Sequence, residues 1–140
     1  MKVVCTFFGH KDAPQSISVQ LENVIIDLIE NRSVDEFYVG NHGNFDKIVY
    51  HALKKLRKVY PNIRYSIVIA YLSDSLSEYE TTVFPEGIEN VPFRYAISYR
   101  NKWMEKHADI IIAFVTHSYG GAAKFVSLAE KQGKEIIYIK

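Results

Sequence analysis

Cysteine is almost absent from this chain. Cys5 is the single thiol in 140 residues, so no internal disulfide can form and packing alone must hold the fold. It sits in the apolar run "VVCTFF", where a small buried hydrophobe is expected rather than a reactive thiol. Net charge is equally scarce. Lys and Arg number 17 against 16 Asp and Glu, leaving +1, too little to draw in nucleic acid or an anionic membrane from a distance. Nucleic acid is therefore not an expected partner, and any anion must be held by local groups. No apolar run approaches the roughly 20 residues that a membrane-spanning helix needs. No basic stretch followed by a signal-like apolar core opens the sequence. The expected location is cytoplasmic, without a membrane partner.

Standard nucleotide fingerprints are missing too. Neither "GNHG" nor "SYGG" is a G-x-G-x-x-G turn or a P-loop with its Lys-Ser/Thr. A serine-hydrolase elbow requires Gly two residues before the nucleophile, but Thr116 holds that place before Ser118, and no His follows Ser118. These absences exclude the commonest dinucleotide, triphosphate and acyl-transfer sites.

What is present is an alternation of two periods. Short runs rich in β-branched and aromatic residues, "KVVCTFF", "EFYVG", "YSIVIAYL", "DIIIAFV" and "EIIYI", read as strands buried on both faces. Helical spacing fills the intervals. Ile17, Leu21, Val24, Ile25 and Leu28 mark a first helix, and Phe45, Ile48, Val49, Ala52, Leu53 and Leu56 a second. A third is expected from about Phe93 to His107, with Trp103 and Met104 against the sheet. A fourth runs from about Gly121 to Gln132, stopped by Gly133. The pattern predicts one α/β domain over residues 1–140, a Rossmann-like three-layer sandwich on a parallel sheet. Right-handed crossovers favour the strand order 3-2-1-4-5. One segment breaks the rhythm: residues 73–92, with two prolines and no sustained period, read as a long loop with a short strand at "TTVF". Such a loop is either a lid or binding loop, or mobile decoration.

In a parallel sheet the loops after the strands' carboxyl ends share one edge, where ligands bind. Polar and glycine residues concentrate there. The first strand ends in Gly9, His10, Lys11 and Asp12. The second is followed by Gly40, Asn41, His42, Gly43, Asn44 and Asp46. The fourth is followed by Thr116, His117, Ser118, Tyr119, Gly120 and Gly121. Glycines admit close approach of backbone to ligand, and a helix N-terminus after each loop favours an anion such as phosphate. Each loop alone is equally well read as a tight strand-to-helix turn; three together favour binding.

His10, His42 and His117 share this edge. Three imidazoles suit zinc, but they show no H-x-x-x-H spacing and no accompanying carboxylate motif, and the competing reading makes them donors to phosphate or turn-stabilising groups. No metal is expected. Arg100, near Trp103, Met104 and His107 by helical spacing, either forks onto a phosphate in the crevice or is solvated or paired with a Glu.

The stretch "RNKWMEKHADIIIAFVTHSYGGAAKFVSLAEKQGKEIIYI" resembles the SLOG superfamily, which unites the DNA-processing protein A fold with the lonely-guy phosphoribohydrolases. Those enzymes carry an R-x-x-x-M helix, then A-D, an apolar strand and a P-G-G-x-G-T-x-x-E turn. Arg100, Met104, Ala108 and Asp109 match the first landmarks, and Tyr119 and Gly120 stand in the turn. "GNHGNFDKIVYHA" is similar to the superfamily's second glycine turn, with Gly40, Gly43 and Ala52 matching. The likeness spans nearly the whole chain and is closest to a small bacterial and phage branch. It implies a fold that binds nucleotides or nucleotide-derived ligands at the glycine loops, and relatives that often form homo-oligomers. Ligand contacts are accordingly expected from Gly9, His10, Gly40, Asn41, Gly43, Arg100, Thr116, His117, Ser118, Gly120 and Gly121, with the 73–92 loop closing over the base. The catalytic Glu of the phosphoribohydrolases is missing: Ala122, Ala123, Lys124 and Phe125 occupy its region, and no carboxylate follows until Glu130. The favoured expectation is a nucleotide-binding sensor without a cofactor. The alternative is a nucleoside-monophosphate N-glycosidase or deoxyribosyltransferase-like enzyme using Asp12, Asp46, Glu78, Glu80 or Glu86.

Overall fold

A computed structural model describes residues 2–71, 79 and 81–140. The chain builds β1 (Val4–Gly9), α1 (Ser18–Arg32), β2 (Glu36–Val39), α2 (Asn44–Arg57) and β3 (Arg64–Val68). It continues through β4 (Thr82–Val83), α3 (Ala96–His107), β5 (Ile110–Phe114), α4 (Gly121–Lys131) and β6 (Glu135–Tyr138). All pairings are parallel, in the order β4-β3-β2-β1-β5-β6. Setting β4 aside, the order is the 3-2-1-4-5 expected from sequence. The difference is the two-residue strand in "TTVF", which adds a sixth strand beside β3. Residues 73–78 and 80 of the 73–92 loop, Glu78 and Glu80 among them, lie outside the described residues, and with them the expected closure over a base.

Why these runs became strands is visible in their two faces. Along β5, Ile110, Ile112 and Phe114 join one core cluster, while Ile111 and Ala113 join another on the opposite side. β1 does the same, with Cys5 and Phe7 on the first face and Phe8 on the second. The first cluster takes in Leu21, Ile25 and Leu28 of α1 and Phe45, Val49 and Leu53 of α2. The second takes in Met104 of α3 and Phe125, Val126 and Ala129 of α4. Two helices therefore cover each face, and a period of two in the strand meets a period of 3.6 in the helix. Each buried Leu, Ile or Phe contributes about 1.5–3 kcal/mol by leaving water. Cys5 is fully buried, and its burial pushes the thiol pKa far above the ordinary range; it is packing, not chemistry.

Helix ends carry local signals. Gly133 takes φ 76° after α4, and Lys134 N–H returns to Ala129 O at 3.0 Å, closing the helix as its glycine predicts. Lys134 Nζ also donates to Ala108 O at 2.6 Å and Lys106 O at 3.2 Å, placing a cation on the negative end of α3. The third helix starts later than its periodicity suggests. Phe93–Tyr95 forms a single 3-10 turn closed by Tyr95 N–H onto Pro92 O at 2.9 Å, and α3 proper begins at Ala96. Among the described residues, no helix is long and apolar enough to cross a membrane.

Candidate functional site

β1 and β5 are neighbours, yet the chain leaves β1 toward β2 and β5 toward β6, on opposite sides. At such a switch point the flanking loops diverge and leave a crevice. A cleft of about 360 Å³ occupies it. Phe7, Phe8 and Gly9 of β1 line it, followed by His10, Lys11 and Asp12. His42 comes from the loop before α2 and Asp46 from the first turn of α2. Ile97, Arg100, Asn101 and Met104 come from α3, and His117, Tyr119, Gly120, Gly121 and Ala122 from the approach to α4.

The loop after β1 does not deliver a helix N-terminus. Ala13 N–H closes a turn on His10 O at 3.2 Å, and a 3-10 turn at Gln15–Ile17 intervenes before α1. This loop therefore contributes side chains rather than helix amides. The next two loops do deliver helix starts, and they do so with the same backbone. Gly43, before α2, has φ 94° and ψ 172°; Gly120, before α4, has φ 94° and ψ 173°. This region is essentially restricted to glycine.

Around Gly43 the space is filled. A Cβ there would meet Lys11 Cα at 2.8 Å, and Asn44 N–H already donates to Lys11 O at 2.8 Å. His42 N–H is taken by Asp46 Oδ2 at 3.0 Å. Gly40 is crowded as well, since its Cβ would lie 2.6 Å from Asp46 Oδ2 and 2.8 Å from Arg100 Nη1. At Gly9 a Cβ would fall within the Phe45 ring. Around α4 the space is open. A Cβ at Gly120 meets nothing nearer than His117 Cε1 at 3.9 Å, and at Gly121 nothing within 4 Å. Helix geometry leaves the N–H groups of Gly121, Ala122 and Ala123 without intrahelical acceptors; Gly121 and Ala122 line the cleft, and Ala123 an adjoining depression.

Arg100 is 2% exposed. Its Nη1 donates to Val68 O at 3.2 Å and Asn41 Oδ1 at 3.4 Å, and its Nε to Asn101 Oδ1 at 2.9 Å. Removal from solvent raises the Asp46 pKa, opposed by the Arg100 charge and the His42 N–H. Arg100 and Asp46 thus form a charge pair folded over the bare backbone of Gly40.

The histidines form a different structure. His10, 5% exposed, accepts Thr116 N–H on Nε2 at 2.9 Å, so its proton resides on Nδ1 and the ring is neutral. Burial lowers its pKa, as does the nearby His117, against a smaller opposing pull from Asp12. The His117 ring stacks on His10 with centroids 3.6 Å apart and 17° between planes. Tyr119 stacks in turn on His117 at 3.9 Å and 21°, while His117 Nδ1 bonds Tyr119 O at 2.9 Å. His42 packs elsewhere, edge-on to Tyr71 at 5.3 Å. Among the described residues no group of three or more His, Cys, Asp or Glu is arranged to hold a metal ion.

Of the residues predicted from sequence, Gly9, His10, Arg100, His117, Gly120 and Gly121 line the cleft. Ser118 lines an adjoining depression beside Lys124 and Ser127. Gly40, Asn41, Gly43 and Thr116 do not line the cleft but support residues that do. Sequence reasoning overlooked Ile97 and Asn101, although their spacing of four and three residues from Asn101 and Met104 puts them on the face that carries Arg100. Of the carboxylates considered, Asp12 and Asp46 reach the cleft. Glu86 instead lies by Tyr99, Trp103 and His107. Compared with known proteins, the chain matches no protein-family model and no curated protein sequence.

Proposed function

We propose that the chain is a SLOG-like domain that binds a nucleotide or nucleotide-derived ligand in the cleft between β1 and β5, as a sensor of that ligand. The observation that carries this reading is the unfilled N-terminus of α4. Gly120 and Gly121 leave its first amides exposed beside the cleft, and such amides with the positive end of the helix dipole suit a phosphate. The buried Arg100 lines the same cleft, but Asp46 offsets its charge, so the amides of α4 carry the anion contact. The apolar lining from Phe7, Phe8, Ile97 and Met104 suits the uncharged remainder of a nucleotide.

Titrating purified protein with nucleoside monophosphates, NAD-derived cyclic nucleotides and ADP-ribose tests the reading by calorimetry and thermal shift. Binding by at least one is expected. Gly121→Val should weaken it at least tenfold, because the added side chain enters the space reserved for the anion. The same variant should change stability by no more than about 0.5–1 kcal/mol, as its Cβ meets nothing within 4 Å. Silence from every ligand near millimolar concentration would end the proposal.

The enzymatic alternative draws on one observation, the raised pKa of Asp46 at the cleft wall, which suits a proton donor. Release of free base from a nucleoside monophosphate, lost in Asp46→Asn, would favour it over sensing.

A further inference from the structure

His10, His117 and Tyr119 form a continuous column of rings, with spacings of 3.6 Å and 3.9 Å. The column is rooted in the core, where Phe114 meets His10 edge-on at 6.1 Å and stacks with Phe45 at 6.3 Å. It is pinned at two points along its length: Thr116 N–H holds His10, and the Tyr119 carbonyl holds the His117 ring. From inside to outside the rings run from buried to open, and Tyr119, the last, is 72% exposed while still lining the cleft.

An exposed Tyr on a loop normally surrenders rotamer freedom when something binds to it. Here much of that ordering is already present, because the ring lies against an anchored imidazole. A flat group laid on Tyr119 therefore gains stacking at little further entropic cost, which is the basis of affinity from preorganisation. Saturated sugars and simple phosphates have no π-face and gain far less from the column than a planar base does.

The geometry points to Tyr119 as the stacking platform for a planar aromatic base, so that the ligand is a nucleotide, with purines favoured for their larger overlap, and not a sugar phosphate or free phosphate. This rests on the reading of the cleft as a nucleotide site and specifies which part of the ligand confers selectivity.

The test compares adenosine 5′-monophosphate with ribose 5-phosphate by calorimetry on wild type, Tyr119→Phe and Tyr119→Ala. Stacking of one base is worth a factor of about 5 to 140 in affinity, so wild type should bind the nucleotide that much more tightly than the sugar phosphate. Tyr119→Phe should keep the nucleotide affinity within about twofold, since it keeps the ring. Tyr119→Ala should lose the factor for the nucleotide and leave ribose 5-phosphate unaffected. Circular dichroism checks that all three proteins are folded. Equal binding of both ligands to wild type, or a Tyr119→Ala loss shared by both or absent from both, overturns the stacking role while leaving an anion site in place. If neither ligand binds wild type but another nucleotide does, the same three proteins are compared with that nucleotide and its base-free counterpart; silence from every nucleotide ends the reading of the cleft, and this inference with it.

Discussion

The two sides of the cleft begin from the same local structure and end differently. Gly43 and Gly120 each precede a helix with φ near 94° and ψ near 172°, and in each case the N–H four residues on returns to the glycine carbonyl, from Lys47 at 3.3 Å and from Lys124 at 3.1 Å. On the α2 side the Lys11 backbone fills the hollow, and Asp46 and Arg100 close over Gly40. On the α4 side the hollow is empty and is bordered by the His10–His117–Tyr119 column. A glycine turn is thus a permissive geometry whose use is decided by what the rest of the chain sends into it. One side is closed by the chain itself; the other is left open by the described residues.

The largest way to break the comparison is to unlock the closed side. Asp46→Asn removes the carboxylate while keeping the side chain's shape, and takes a negative charge from beside the buried Arg100. Breaking one partner of a fully buried pair costs about 3–5 kcal/mol; at half-buried Asp46, where burial already outweighs the pull of Arg100 and raises the pKa, the loss comes from the hydrogen bonds the carboxylate accepts and is about 2–3 kcal/mol. Adding Arg100→Met should restore part of the loss, since the double variant strands no charge. Urea denaturation of the two single variants and the double variant measures the coupling; strictly additive losses would show that the two groups do not act as a pair.

A smaller effect separates the two glycines directly. Gly43→Ala and Gly120→Ala share a backbone penalty of about 1–3 kcal/mol, because both positions lie in the glycine region. Gly43→Ala alone also drives a Cβ to 2.8 Å from Lys11 Cα, which adds about 1–3 kcal/mol of overpacking. The difference between the two variants, read from denaturation midpoints, isolates the filling. Equal losses would show that the α2 hollow is no more closed than the α4 hollow.

These contrasts explain what the sequence discloses and what it withholds. The strands and the helices follow from local patterns, because burial on both faces imposes continuous apolar runs and burial on one imposes helical spacing; the 3-2-1-4-5 core order follows from the general preference for right-handed crossovers. Gly133 marks the end of α4 for the same local reason. Within the cleft, residues on a single element were also accessible to pattern: Ile97, Arg100, Asn101 and Met104 share one face of α3. Relations between distant segments were not. Nothing near Arg100 announces that Asp46 of α2 will be its counter-charge, and nothing near His10 announces that His117 will stack on it. Gly43 and Gly120 look equivalent because a glycine code records an allowed backbone angle, not its occupant. "TTVF" became a strand because β3 offered a free edge, a tertiary circumstance that its own short sequence only hints at.

The smallest expected effect concerns the open side and the proton. His10 is held neutral, with its pKa lowered from 6.5 chiefly by burial and further by His117. Above pH 6.5 the ring is neutral whether the chain is folded or unfolded, and it contributes no pH dependence. As pH falls below 6.5 the unfolded chain takes up a proton on this residue while the folded chain resists until its lower pKa is reached. Unfolding then binds the proton, so stability falls with falling pH across that window and levels off beneath it. Asp46 acts in the opposite sense, since its raised pKa lets the folded state take up a proton before the unfolded one. Wild type must therefore be compared with a variant that differs at His10 alone. His10→Gln keeps an acceptor for Thr116 N–H but does not titrate. Subtracting its stability profile from that of wild type should leave a downward step below pH 6.5; a flat difference would show that the buried end of the ring column is not held in its neutral form by the fold.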